Sequence, residues 1–137
     1  MIWCFMILLT PYLSFSNHGK IPKFFYTFFS NICHQMPERS LFLFERQVPV
    51  CARDFAIYFS FLLAALLYPF LKKLEDARLP PIKYLLLALI PIGIDGGTQL
   101  IGLRESTNFL RILTGFVLGF VTPFYLIPFF IGSLKEK

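Results

Sequence analysis

Apolar residues gather along this chain in four unequal runs, and the polar residues between them are not spread evenly. The runs near 54–71, 82–101 and 108–131 approach or exceed the roughly 20 residues that a helix needs to cross a bilayer. An earlier run, Ile2 to Phe15 (IWCFMILLTPYLSF), is shorter and contains Pro11. It reads as a short first membrane helix. The start MIWCF has no Lys or Arg, unlike a cleaved signal peptide. Asn17 to Pro22 (NHGKIP) is a turn-rich break in which His18 is a surface residue.

Residues 22–50 follow no spanning pattern. KFFYTFFSNIC is too short to cross, and its rings suit a helix lying at the interface. HQMPERS is polar and broken by proline, and LFLFERQVPV reads as a re-entrant or interfacial piece. Asp54 is placed to cap the next helix. Pro80 and Pro81 end one helix and begin another. The expected fold is all-α: a polytopic helical membrane bundle of about four transmembrane helices, forming a single membrane domain over 1–137. The expected spans are about 2–16, 54–71, 82–101 and 108–131, with an interfacial segment over 22–50.

Composition agrees. Hydrophobic residues make up 56% of the chain and Phe alone occurs 18 times, more apolar surface than a soluble domain of 137 residues can bury. The formal charge of +5 fits membrane loops and anionic headgroups. No phosphate-binding glycine loop, nucleic-acid signature or internal repeat is visible, so no nucleic-acid partner is expected. Lys72, Lys73, Arg78, Lys83, Lys135 and Lys137 fall on one side of the expected bundle. Lys20, Lys23, Arg39, Arg46, Arg53, Arg104 and Arg111 fall on the other. Several of the second set sit among acids and amides. Discounting those places the Lys-rich side in the cytoplasm and the polar site on the extracytoplasmic side of a multi-pass cell-membrane protein.

The polar groups crowd one stretch, IDGGTQLIGLRESTNFLRILTGFVLG, from Ile94 to Gly119. Ionisable groups at membrane depth are costly, face a bundle interior and mark functional sites. Asp95 and Gln99 share a helix face at a spacing of four. Asn108, Arg111, Gly115, Gly119 and Thr122 share another, and Gly115 with Gly119 forms a small-xxx-small pattern that admits a close helix or a second copy of the chain. A short loop makes the two helices antiparallel neighbours, and Asp95 with Arg111 is the natural ion pair. Arg39, Arg53, Arg104 and Arg111 suit bidentate capture of a phosphate or carboxylate. Asp95, Gln99, Ser106 and Asn108 complete the binding set. Pairing of these arginines with Glu38, Asp54, Asp95 and Glu105 alone is the plainer alternative.

Cys33 and Cys51 admit three readings: a disulfide contributing roughly 3 kcal/mol, a metal site with His34 and Asp54, or inert thiols. No other cofactor is expected. Cys4 reads as packing. Cys33 and Arg39 also show the Cys-x5-Arg spacing of thiol phosphatases, although Pro37 removes an amide that a phosphate loop needs. The catalytic candidates are Asp95 and His34 as general bases.

Four polar blocks occur in order: CHQMPERS, PVCARD with its aromatic helix, IDGGTQ and RESTNFLRILTG. On them the chain resembles the small membrane proteins of domain-of-unknown-function family 2085. That family usually has Cys-Ala-Arg-Cys and then Thr-Gly, where this chain has Asp54 and Phe55-Ala56. The resemblance implies a membrane fold and no particular chemistry. Asp95, Gln99, Arg104, Asn108 and Gly115/Gly119 are also similar, more faintly, to VanZ-like membrane proteins, which are linked to glycopeptide resistance. The leading expectation is a membrane protein that binds an anionic lipid or isoprenoid-phosphate headgroup. A membrane enzyme acting on lipid headgroups, and an assembly subunit whose polar groups serve packing, are the alternatives.

Overall fold

The computed structural model describes residues 1–16, 19–73 and 76–135. Asn17, His18, Leu74, Glu75, Glu136 and Lys137 lie outside the described residues, and so do the surface reading of His18 and the charge of Lys137. Helix α1 (Ile2–Phe15) is followed by α2 (Lys20–Ser30). A 3-10 turn (Pro37–Arg39) leads into strand β1 (Ser40–Leu43), which pairs antiparallel with β2 (Arg46–Cys51). Four helices complete the chain: α3 (Ala52–Leu71), α4 (Lys83–Leu100), α5 (Asn108–Val121) and α6 (Pro123–Lys135). The architecture is mostly helical, 71%, with one small sheet.

Among the described residues two segments are long and apolar enough to cross a membrane: Ala52–Leu71, and Asn108–Lys135, in which α5 and α6 follow each other. Helix α4 has 18 residues, a length of about 27 Å, but it carries Asp95 and three glycines. Helix α1 has 14 residues, about 21 Å, against a hydrocarbon core of about 30 Å. The expected first span is thus a short helix, and it packs on the hairpin. Ile7 of α1 shares a buried cluster with Phe29, Cys33, Val48 and Val50.

That hairpin stands where a re-entrant or interfacial piece was expected. Val48 and Val50 alternate into the cluster, with Pro49 between them in a two-stranded sheet that has free edges. The turn residues Phe44 and Glu45 both have positive φ, 54° and 59°, as a two-residue turn of the I′ type requires. Neither is Asn, Asp or Gly, so the usual hairpin signal is missing. The Phe44 ring packs against Tyr12 and Phe15 of α1, and this contact offsets the backbone cost.

Helices α3 and α5 approach most closely. Ala52, Ala56, Ser60, Ala64 and Tyr68 are buried at every fourth position of α3. Opposite them lie Gly115 and Gly119. A Cβ on Gly115 would sit 2.5 Å from the Arg53 carbonyl oxygen, and one on Gly119 would collide with Ser60 and the Ile57 backbone. Gly115 meets Arg53 and Ala56, and Gly119 meets Ile57 and Ser60, so the two helices run parallel, with α5 beginning about one turn before α3. The small-xxx-small face that suggested a homo-oligomer is therefore occupied by α3 of the same chain.

Gly119→Ala should destabilise the protein by about 1–3 kcal/mol through overpacking. Gly97→Ala, with nothing within 4 Å of the added carbon, should not. Thermal unfolding of both variants in detergent micelles checks this, and equal midpoints would contradict it.

Candidate functional site

Asp95 is 2% exposed near the C-terminal end of α4. Its Oδ2 accepts from Arg53 Nη2 and, at 2.8 Å, from Ser106 Oγ. Its Oδ1 accepts from Arg104 Nη2 at 2.8 Å. Arg104 also donates from Nε to Thr98 Oγ1 at 3.2 Å. One carboxylate thus joins the start of α3, α4 and the loop before α5. The expected ion pair with Arg111 does not form. Arg53 takes the carboxylate because Gly96 leaves room beside α4: a Cβ there would lie 3.3 Å from Arg53 Nη1.

Arg111 is 4% exposed and turns toward the hairpin. Its Nη1 donates to Asn108 Oδ1 at 2.9 Å and to the Glu38 carbonyl at 3.5 Å. The Gln99 side chain faces only guanidinium donors, so its amide oxygen is the atom that points at them. It accepts from Arg111 Nη2 at 2.9 Å and from Arg39 Nε and Nη2 at 3.3 and 3.2 Å. Asn108 in turn donates to the Ser40 carbonyl at 3.3 Å, tying α5 to the hairpin.

Arg39, Arg53 and Arg111 converge on one pocket of about 270 Å³, also lined by Gln99, Cys33, Cys51 and Asp54. His34 lines it as well. Asp95, Ser106 and Asn108, expected as ligand-binding groups, stand behind the arginines and hold them or their neighbours. Arg104 is exposed on the far side of Asp95. Of the two general-base candidates, Asp95 already accepts three charge-assisted or hydroxyl hydrogen bonds, and His34 remains exposed at the pocket wall.

The loop carrying Cys33 to Ser40 owes its shape to two glutamines, Gln35 and Gln47. Gln35 has φ 49°, a strained conformation outside glycine. Its Nε2 donates to the Tyr26 and Pro49 carbonyls at 2.7 and 2.9 Å. Gln47 Nε2 donates to the Gln35 carbonyl at 2.6 Å and to Ser40 Oγ at 3.0 Å. Two glutamines amid apolar residues were the available signal. The amides of Cys33, Arg39 and Ser40 are engaged by Phe29, Met36 and Pro37, so they do not ring a phosphate as a thiol-phosphatase loop would.

Cys33 and Cys51 are free thiols. The Cys51 amide donates to Cys33 Sγ at 3.1 Å. Cys51, rather than Asp54, caps α3: its Sγ accepts from the Asp54 amide at 3.4 Å, because Asp54 already lies inside the first turn. A hydrogen bond from Cys51 pulls the Cys33 thiol below its ordinary pKa. The thiol of Cys51 is pushed up by that same bond, by burial and by the Asp54 charge. Cys4 is buried between α1 and α3, its Sγ donating to the Tyr58 carbonyl at 3.5 Å.

The family model of domain-of-unknown-function family 2085, described as a predicted membrane protein, matches residues 33–125. The match begins at the first pocket cysteine and runs past Arg111. An uncharacterized protein of Methanocaldococcus jannaschii is 47% identical over 142 residues, covering 100% of this chain and 91% of its own length. Another, of Methanothermobacter thermautotrophicus, is 42% identical over 94 residues, covering 66% of this chain and 80% of its own length. No solved structure matches.

Replacing one buried partner strands the others. Asp95→Asn should lower stability by about 3–5 kcal/mol. Arg104→Ala, whose side chain is 44% exposed, should cost no more than about 1 kcal/mol. Denaturant unfolding in micelles measures both, and equal losses would refute the ranking.

Proposed function

Because the chain belongs to domain-of-unknown-function family 2085 of predicted membrane proteins, we propose that it is a multi-pass membrane protein that holds an anionic lipid or isoprenoid-phosphate headgroup. The observation that carries this reading is the company Arg111 keeps. The side chain is almost fully buried, yet it bonds to neutral amide and carbonyl oxygens and to no carboxylate among the described residues. A guanidinium held in this way keeps its charge available to a ligand.

The surroundings favour the same ligand class. Arg39 and Arg53 share the pocket with Arg111, while the only carboxylate lining it among the described residues is that of Asp54. The buried Nε of Arg53 has no partner among the described residues, so a further acceptor is wanted there. Arg53 and Arg111, which line the pocket, lie in the first turns of α3 and α5, and helix N-terminal ends favour anions. A volume of about 270 Å³ matches roughly nine waters of liquid, enough for a phosphate or diphosphate and its solvation.

In this reading α3 and the α5–α6 segment span the membrane, α4 completes the bundle beside them, and α1 and α2 with the hairpin cover the headgroup end. Lys72, Lys73 and Arg78 lie between α3 and α4, and Lys83 begins α4, all at the end away from the pocket, and they are assigned to the cytoplasm. The pocket then faces the extracytoplasmic side.

Native mass spectrometry of protein extracted in mild detergent tests the proposal. An anionic lipid should co-purify, and Arg39→Ala or Arg111→Ala should reduce its retention about tenfold or more, since a hydrogen bond to a charged group is worth about 1.5–3 kcal/mol. Arg104→Ala should retain it. Absence of anionic lipid from the wild type, or equal retention in all variants, would overturn the reading.

A further inference from the structure

Outside the arginines, one cluster at the pocket wall has a chemistry of its own. Cys33, Cys51 and Asp54 bring two sulfurs and a carboxylate oxygen within 4.8 Å of one another. They come from three places in the chain: the loop after α2, the end of β2 and the first turn of α3. The hairpin register, in which Ser40 pairs with Cys51, returns the chain to the level of Cys33.

Each sulfur already receives a backbone amide, Cys51 N on Cys33 Sγ at 3.1 Å and Asp54 N on Cys51 Sγ at 3.4 Å. Donors of this kind orient a thiolate ligand from behind, as outer-shell partners do in metal sites. The spacing is close to what a metal needs. With Zn–S near 2.3 Å, tetrahedral ligand atoms lie about 3.8 Å apart, so closure asks for a movement of about 1 Å or less.

We propose that Cys33, Cys51 and Asp54 form a zinc site whose fourth position opens onto the arginine pocket. Two thiolates with a carboxylate favour zinc over magnesium or calcium, which take oxygen ligands only. Three protein ligands and an open position are the arrangement of zinc sites that take up an exogenous ligand. Two thiolates and a carboxylate exceed the charge of a dication by one. Arg39, Arg53 and Arg111, lining the same pocket, supply the balance and leave the site able to accept an anionic oxygen. That last link, an anion shared between the arginines and the metal, rests on the function proposed above. Metal binding by the three side chains does not. His34 lines the pocket but falls outside the three-ligand group.

The full chain, reduced, stripped with a chelator and kept in micelles, is titrated with Co²⁺ and then Zn²⁺. About one Co²⁺ per chain should bind with thiolate-to-cobalt charge-transfer absorption and tetrahedral ligand-field bands, and Zn²⁺ should displace it. Cys51→Ser should lose most of the charge-transfer intensity, and Asp54→Asn should weaken affinity about tenfold or more while keeping the sulfur bands. Inorganic phosphate should shift the ligand-field bands in the wild type and not in Arg111→Ala.

No charge-transfer band in the reduced wild type, or an unchanged band in Cys51→Ser, would overturn the site. So would a reduced protein that takes up no metal and simply reforms a Cys33–Cys51 disulfide. A cobalt band that ignores phosphate overturns only the shared anion. An absent band with lipid retention intact overturns the metal site and leaves the headgroup reading standing.

Discussion

A carboxylate enclosed among apolar helices must find its counter-charges within the protein, and in this chain that carboxylate is Asp95. Arg53, Arg104 and Ser106 all donate to it. The groups come from the start of α3 and from the loop leading into α5. Satisfying one acid therefore ties three parts of the chain together. The same contacts engage both oxygens of Asp95 and hold the guanidinium groups of Arg53 and Arg104 in place. With Asp95 spent on Arg53 and Arg104, Arg111 is left to neutral oxygens, and from that division follows the positive character of the pocket.

The division depends on how closely two helices meet. The four-residue stripe of small side chains on α3 accepts Gly115 and Gly119 of α5 almost backbone to backbone. Because the helices run parallel, Arg53 and Arg111, each in the first turn of its helix, both line the pocket. Arg39 arrives from outside the bundle. It is held by Gln99 and by a hairpin that the Gln35 and Gln47 amides pin to the preceding loop. Helical packing sets the depth of the pocket, then, and the small sheet closes it.

Much of this was legible in the sequence. Apolar runs mark α3, α4 and the α5–α6 segment, and polar residues at spacings of three and four on apolar helices single out Asp95, Gln99, Asn108 and Arg111. The partners were less legible, because spacing along a helix fixes a face but not which neighbouring helix arrives there. Arg53 reaches Asp95 past Gly96, where an added Cβ would crowd the guanidinium at 3.3 Å, and no periodicity reveals that room. The hairpin was hidden because its turn uses Phe44 and Glu45 where Asn and Gly are usual, and a ring contact with α1 supports it. The cap of α3 was misassigned by three residues: Asp54 has the favoured chemistry, but the helix begins earlier and a cysteine sulfur does the capping.

Asp95 and Arg53 form the tie between α4 and α3 on which the pocket rests. A double-mutant cycle on unfolding in micelles, with Arg53→Ala, Asp95→Ala and the pair, measures it directly. The two substitutions should be non-additive, with a coupling of about 0.5–3 kcal/mol, because each removes the same contact. Losses that add to within about 0.5 kcal/mol would show that the two side chains do not act on one another. The tie, and the pocket built on it, would then have to be abandoned.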